Sequence, residues 1–573
     1  MPYRPPVDEF SFLLEHVVGF NEVQGTEKFS EATDDVTQAI LTEAGKLCEH
    51  AIAPVQRNGD VTPARLENGV VRTSPGFGEA FQAIAEGGWI GMSASPEYGG
   101  MGLPMAVTTA VNDMMSGACL SLQLAGLMSQ GQIEALEHHA SDAIKELYLP
   151  KLISGEWTGT MNLTEPQAGS DVGALSTKAE DLGDGTFSIT GQKIYISWGD
   201  TDFAENVCHL VLARLPGAPA GTKGISLFLV PKRLPDADGN AGVANGVKVV
   251  SLEHKLGLHG SPTCVMQYDK AVGWLVGPEG GGMAAMFTMM NNARLGVGGQ
   301  GIGVAEGAYQ HALAYALERR QGKAEGMPRA EGGSAIIDHA DVRRMLMTMR
   351  AETFAARAIA LSCAVAIDMA GATGEDRWKS RAALLTPIAK AFGTDIGNEV
   401  AALGIQVHGG MGFVEETGAA QYARDVRVTT IYEGTNGIQA MDLVARKMLD
   451  GGEAMSRILD EVESTAEALR DSLPDLAEDV WQSAESLRET TEWLNTKNHR
   501  VRFAGAVPYL RACARVLGAH AHLLAAHHDK GGRYEKVARF YIQRLLPEHA
   551  SLLTQAQAGD YDIYALTPEE FAA

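Results

Sequence analysis

Paired cysteines are missing from this sequence: its six stand singly at positions 48, 119, 208, 264, 363 and 513, with no C-x-x-C pair. That spacing fits neither a disulfide framework nor a zinc site, so reduced core thiols and no bound metal are expected. Basic residues are also scarce, 47 Lys and Arg against 71 Asp and Glu, for a formal net charge of -24. The average field therefore repels phosphate backbones and anionic membrane surfaces, which argues against nucleic acid and membrane partners. No apolar run reaches the roughly 20 residues that span a bilayer. The opening residues MPYRPPVDEF lack the basic start, apolar core and cleavage site of a secretory signal, so a cytoplasmic location is expected.

What is present is ordinary globular composition, 45% apolar and 21% charged, over 573 residues. That length suggests about four domains and a core large enough to bury a cofactor. From about residue 30 to 155 the pattern is helical, broken by a turn-rich loop from Tyr98 to Pro104. Between Trp157 and Gly280 it changes to alternation at Phe187, Ile189 and Gly191, with short β-rich runs at Cys208 to Leu215, Ile225 to Val230 and Val247 to Leu252. This reads as a compact antiparallel β domain. Helical spacing then returns, as in Val342, Met345, Met349, Ala356, Ile359 and Cys363. After Gly451-Gly452 a further helical stretch keeps Ile458, Val462, Ala466, Leu469 and Leu473 in step. The segment Ala324 to Gly333 is Gly- and charge-rich and reads as a mobile surface loop. The expected division is 1–156 helical, 157–280 β, 281–450 helical and 451–573 helical. That is an α+β plan, not the alternating βαβ of nucleotide-binding sheets.

A formal G-x-G-x-x-G occurs at Gly296 to Gly301, but it follows Asn291 to Arg294, where a nucleotide-binding turn needs a preceding strand. Small residues that let one helix approach another explain it better, and the string is expected to open a helix running to Leu317. Two other peptides carry more chemistry. Met161 to Asp171 (MNLTEPQAGSD) combines small residues with hydroxyls, a loop type whose N–H groups meet a ring or a pyrophosphate, although a plain polar turn has the same composition. Ile431 to Gln439 (IYEGTNGIQ) puts a carboxylate in a turn that leads into a helix from about Met441 to Met448, where such an acid is ordinarily a solvated or capping group.

Together, TEPQAGSD and IYEGTNGIQ resemble the acyl-CoA dehydrogenase family over about residues 40 to 450. The resemblance implies a helical N-terminal domain, a central antiparallel β domain and a four-helix bundle, with FAD held between the last two. It also implies oligomers in which each flavin touches a second subunit, here a homodimer. Glu433 matches the family's catalytic base, with Gly434 and Thr435 at flavin-contacting positions. Leu163 and Thr164 match the peptide facing the isoalloxazine ring, and Gly169 and Ser170 the stretch near phosphate. Tyr195 and Ser197 stand where the family usually has Trp and Thr. Arg319 matches the arginine that reaches the partner's FAD, with Gln406, Gly409 and Gly410 at further pyrophosphate contacts. The residues after Arg319, RQGK, depart from the family's usual K-T-F-G and leave the contacts of Arg320 and Gln321 open. Ser170, Ser261, Arg294 and Tyr432 are the candidate substrate contacts, and Leu127, Met128 and Tyr432 candidate pocket walls.

The implied chemistry is removal of a very weakly acidic thioester α-proton by a buried carboxylate, with β-hydride passing to flavin N5 and electrons leaving to an electron-transfer flavoprotein. Burial is expected to raise the pKa of Glu433. The peptide YRPPVDEFSFLLEHV, the segments EGGWIG, EYGGMGLP and LHGSPTC, and the C-terminal extension resemble the large bacterial subgroup of the family that includes 3-methylmercaptopropionyl-CoA dehydrogenases. This points to a short- to medium-chain acyl-CoA or 3-(methylthio)propanoyl-CoA. Rival readings are an acyl-CoA oxidase and a non-dehydrogenase flavoprotein of the same fold, such as a DNA-damage-response protein, against which the net charge speaks. His520, His522, His527 and His528 cluster in sequence, but no carboxylate completes a metal-ligand spacing, and a polar helix face is expected.

Overall fold

The switch from helix to sheet turns on Gly155, whose φ of +77° closes the Asp142–Ile153 helix and releases the chain into strand Trp157–Asn162. Only glycine adopts that conformation at no cost, and a Cβ there would lie 2.7 Å from that of Ala85. The protein is described by a computed structural model over residues 3–326 and 332–573.

Before this switch the longest element is helix Met105–His139, apolar and buried almost all round, as befits a helix at the centre of a large core. Its course breaks at Cys119, where φ and ψ are −160° and 96°. Asp34–Leu47 is capped by Thr33, whose hydroxyl accepts from the Val36 N–H.

Seven strands form the central sheet. Its hub is Thr263–Val276, which pairs antiparallel with Val247–Leu252, Phe187–Ser197 and Ile225–Pro231. Strand Phe187–Ser197 follows the alternation read from the sequence, while Asn206–Arg214 is buried on both faces and so reads as a continuous apolar run. Pairing is antiparallel apart from the parallel register of Trp157–Asn162 on Asn206–Arg214 and a single parallel partner pair, Lys178 with Arg214. Two separate two-stranded ribbons accompany the sheet.

After the sheet, helices Gly282–Glu318, Ala340–Thr373 and Asp376–His408 pack with Met105–His139 as a bundle. The glycine string does not open a helix, as the sequence suggested, but lies inside Gly282–Glu318. The reason is contact with Asp376–His408: a Cβ on Gly298 would lie 2.7 Å from the Ala389 carbonyl oxygen, and one on Gly397 2.6 Å from that of Gly301. Backbone meets backbone, which outweighs the helix propensity that glycine forfeits. Ala340–Thr373 is long and apolar enough by composition to cross a membrane, yet 78% of its most apolar window is buried inside the protein.

A further set of helices, Glu453–Leu469, Pro474–Asn495, Ala506–His528 and Glu548–Ala556, covers the bundle. Ile458, Val462, Ala466 and Leu469 are buried in step, as their spacing predicted. The Ala506–His528 helix sits on Ala340–Thr373: Gly518 lies against Ala355, and buried Arg515 pairs with buried Glu352 at 2.6 Å. At the other end of the chain, Glu9 of helix Val7–His16 reaches Arg357, which also binds Asp113 at 2.9 Å and Glu306 at 3.2 Å. Of the loop expected at 324–333, residues 327–331 lie outside the described residues. On its flank Ala324 is buried and donates its N–H to Ser334 Oγ at 3.0 Å.

Candidate active site

Glu433 lies in the turn between Thr430 and helix Asn436–Val444, which begins earlier than its sequence pattern suggested. Thr435 caps that helix by accepting from the Ile438 N–H at 3.2 Å. Gln439 folds back to donate to the Glu433 carbonyl at 3.2 Å, and Gly434 takes φ +85°. Glu433 itself has φ +55°, a left-handed conformation that is strained for a residue with a Cβ and tends to be kept where function requires it. Its backbone N–H has no acceptor among the described residues.

The carboxylate is half-buried. Burial pushes its pKa up to about 7, against the pull of two nearby cations, Arg294 and Lys390. Lys390 is fully buried, held down to about 8 by desolvation, and donates to Asn436 Oδ1 at 2.8 Å. Asn436 in turn donates to Asp395 at 2.7 Å, so the first residue of the capped helix is tied to the bundle. Arg294 is buried with its Nε lacking a partner among the described residues, and burial lowers its pKa. Tyr432 donates its hydroxyl to buried Gln300. Of the candidate substrate contacts, Arg294 and Tyr432 thus stand by Glu433, with Gly434 and Thr435 in the same turn.

A second group forms at the sheet. Leu163 and Thr164 are half-buried, and the Thr164 carbonyl accepts from the Ile194 N–H at 2.9 Å, which sets this loop against Tyr195. Beneath the loop, buried Glu165 accepts from Lys193 at 2.9 Å and from the hydroxyls and N–H groups of Ser176 and Thr177. Tyr195 is 61% exposed and takes φ +60°, a second left-handed non-glycine residue at a predicted site position. Ser197 is half-buried opposite Thr263. Gly169 and Ser170 are exposed, with open space beside the Gly169 Cα. Ser261 is buried, its hydroxyl unpartnered among the described residues, two positions before Thr263.

The two groups meet through the kinked helix. Trp198, next to Ser197, donates Nε1–H to the Ser121 carbonyl at 3.1 Å. Two residues on, Gln123 accepts from Gln300 at 2.9 Å, and Gln300 holds Tyr432 beside Glu433. The turn of helix just after the Cys119 break therefore links the strand carrying Tyr195 to the turn carrying the carboxylate. Leu127 and Met128 on the same helix are buried, Leu127 against Gly296.

Arg319, Gln406, Gly409 and Gly410 form a third, exposed group at the ends of two bundle helices. His408 stacks on Tyr315 with ring centroids 4.5 Å apart, which sets these ends side by side. Arg320 donates to the Gly333 carbonyl and Gln321 to that of Ser334, so RQGK serves its own loop. His522 is buried and His520 half-buried, both held neutral by desolvation and bonded to the Ala351 carbonyl and Thr465 respectively, and no metal-binding group occurs among the described residues. Sequence reasoning missed Lys390, Gln300, Gln123 and the Glu165–Lys193 pair. Polar residues set in otherwise apolar helical runs, as Lys390 is in TPIAKAF, were the available signal.

Comparison with known proteins gives four matching family models. They are the acyl-CoA dehydrogenase N-terminal domain at residues 34–156, middle domain at 160–271 and C-terminal domain at 280–449, and an acetyl-CoA dehydrogenase C-terminal-like domain at 458–567. The 3-methylmercaptopropionyl-CoA dehydrogenase of Ruegeria pomeroyi is 46% identical over 81% of this chain and 80% of its own. A butyryl-CoA dehydrogenase of Syntrophomonas wolfei is 32% identical over 94% of each. Among solved structures, Caenorhabditis elegans ACDH-11 in complex with C11-CoA covers 91% of this chain and 89% of its own, with a TM-score of 0.78 at 21% identity, a likeness of fold.

Proposed function

The chain belongs to the acyl-CoA dehydrogenase family, and from that premise we propose that it uses FAD to dehydrogenate a short- to medium-chain acyl-CoA, 3-(methylthio)propanoyl-CoA included, at the α,β bond, with Glu433 as the base. The observation that carries this reading is the Glu433 carboxylate itself. It is half-buried on left-handed backbone, with its pKa brought to about 7 between burial and two cations.

The residues fit a flavin dinucleotide. Tyr195 offers an exposed aromatic face beside Leu163 and Thr164, and Ser170 an exposed hydroxyl next to the open space at Gly169. Arg319, Gln406 and the unobstructed backbone of Gly409 and Gly410 suit the pyrophosphate of a second copy's FAD. Exposed Met411, Phe413 and Val414 beside them supply apolar surface for a homodimer to cover.

A thioester α-C–H is a very weak acid, so its removal needs a base close to neutrality and stabilisation of the enolate-like oxygen. Glu433 supplies the first and its free N–H the second, donating to the thioester carbonyl. Arg294 and Lys390 keep a useful fraction of the carboxylate ionised at neutral pH. Bound FAD supplies the acceptor for the β-hydride, and an electron-transfer flavoprotein is the proposed onward acceptor.

The test is anaerobic bleaching of the flavin by acyl-CoAs from propanoyl to palmitoyl, with 3-(methylthio)propanoyl-CoA among them. Wild type should bleach, and Glu433→Gln should bind FAD and acyl-CoA yet lose bleaching by several orders of magnitude. Near-wild-type bleaching in that variant would sink the assignment, and rapid oxygen consumption with acyl-CoA alone would replace dehydrogenase by oxidase.

A further inference from the structure

The hydroxyl of Tyr432 begins a line of buried amides that the chemistry above does not use. Tyr432 donates to Gln300 Oε1, Gln300 Nε2 donates to Gln123 at 2.9 Å, and Gln123 Nε2 to Asn112 at 3.5 Å. Asn112 Nδ2 continues to Gln130 at 2.9 Å, and Gln130 ends on the Trp89 carbonyl at 3.3 Å. All four amides are buried, and all point their hydrogen bonds one way, each carbonyl and one N–H spent in the line. They come from both halves of the kinked helix and from Gly282–Glu318. A core between two such helices is ordinarily apolar, so four consecutive amides call for a reason.

At Asn112, its third amide, the line meets a cavity of ≈ 10 Å³ whose lining includes Met105, Thr109, Leu127, Asn292 and Gly299, too small for more than about one water. A Cβ on buried Gly299 would enter open space, while Leu127 is pressed against Gly296. The line therefore runs from the turn that carries Glu433 to the edge of this small cavity.

We propose that the Tyr432–Gln300–Gln123–Asn112–Gln130 line is the floor of the acyl pocket and sets chain length, confining the enzyme to short acyl groups. The proposal rests on Glu433 being the base, which places the α-carbon one residue from the start of the line. An acyl tail that stops at the floor leaves every amide paired. A longer, apolar tail has to part them, leaving buried donors and acceptors without partners, and gains only the small cavity behind. Gln300 and Gln123 are on this account specificity-determining residues.

The test uses the FAD-loaded enzyme and butanoyl-, hexanoyl-, octanoyl- and dodecanoyl-CoA, reading kcat/KM and the rate of anaerobic bleaching. Wild type should lose at least tenfold between hexanoyl- and dodecanoyl-CoA. Gln300→Ala and Gln123→Ala should each raise the dodecanoyl-to-butanoyl ratio at least tenfold, by joining the pocket to the cavity at Gly299. Gln123→Leu, which keeps the volume, is the companion if an alanine variant does not fold, and should raise the ratio by removing the polar floor alone. Equal rates for dodecanoyl- and butanoyl-CoA in wild type, or folded variants with an unchanged length ranking, would overturn the proposal. If no acyl-CoA bleaches the flavin, the dehydrogenase reading fails separately. The floor is then judged by binding, from the perturbation of flavin absorbance along the same series, which should weaken beyond hexanoyl-CoA and level out in Gln300→Ala.

Discussion

The ammonium of Lys193 donates to Glu165 at 2.9 Å and to the carbonyl oxygen of Leu163 at 3.0 Å, with both charged side chains buried. One cation thus ties strand Phe187–Ser197 to the loop that carries Leu163 and Glu165. Burial works against the Glu165 charge, but Lys193 and the Ser176 and Thr177 donors outweigh it and hold the carboxyl down at about 2. Removing Lys193 strands that carboxylate, which costs roughly 3–5 kcal/mol for a buried pair. Lys193→Met should therefore lower the thermal midpoint and the flavin retained per chain, measured by thermal unfolding and the visible absorbance of the purified protein. The double variant with Glu165→Gln should recover part of the stability but not the loop geometry, so flavin retention should stay low.

A second prediction concerns pH. As the proposed base, Glu433 acts in its ionised form, and with its pKa raised to about 7, flavin bleaching should rise with pH through about 7 and level off above it. An unshifted carboxylate would show no such limb above about pH 5.5. The same raised pKa costs the folded state its contribution as pH climbs through the folded value, while near pH 4 the group is protonated in both states. Glu433→Gln should accordingly gain stability over wild type above pH 7 and show no difference near pH 4, read by paired thermal unfolding.

Lys390 pulls the Glu433 pKa down, so its removal should push that value up. Lys390→Gln keeps an amide N–H to donate to Asn436 but no charge, and its rate limb should move to higher pH. Since burial holds Lys390 near 8, the contrast with wild type should be largest below that pH. A limb that stays in place, from bleaching rates between pH 6 and 9, would show that the two groups do not interact.

The additional helices should prove integral to the bundle. Arg515 and Glu352 pair at 2.6 Å with both side chains buried, and Gly518 rests on Ala355. Arg515→Met should cost roughly 3–5 kcal/mol by leaving Glu352 unpaired, whereas replacing the pair by Met and Gln together should cost less. Chemical denaturation with a double-variant cycle checks this. Removal of residues 451–573 should expose the apolar face of Ala340–Thr373 and yield aggregated protein, visible by size-exclusion chromatography.

The helical, β, helical order was legible in the sequence, and the two peptides Met161 to Asp171 and Ile431 to Gln439 stood out in it, because each feature is local: a period, a turn, a run of small residues. Strand Phe187–Ser197 announced itself by alternation, and Ile458 to Leu469 by helical step. Strands Trp157–Asn162, Lys178–Asp181 and Thr263–Val276 did not. The last bends through bulges at Cys264/Met266 and Tyr268/Ala271 that break its alternation, and the first begins in a run buried on both faces. The glycines at 296 to 301 look like a turn in one dimension, and only the backbone of the facing helix shows why they sit inside a helix. Lys390 and the amides lie far from Glu433 in sequence, and no local period marks a residue whose partners are long-range.

Glycine against glycine where Gly282–Glu318 crosses Asp376–His408 leaves no side chain between the two helices to shorten or lengthen. Their separation is thus a fixed gauge, and since one helix bears Arg294 and the other Lys390, it is also the gauge between the two cations that flank Glu433. Redesign of this enzyme therefore has almost no freedom across these helices: a single methyl at Gly298 or Gly397 would meet facing backbone and push apart the helices that hold Arg294 and Lys390 beside Glu433.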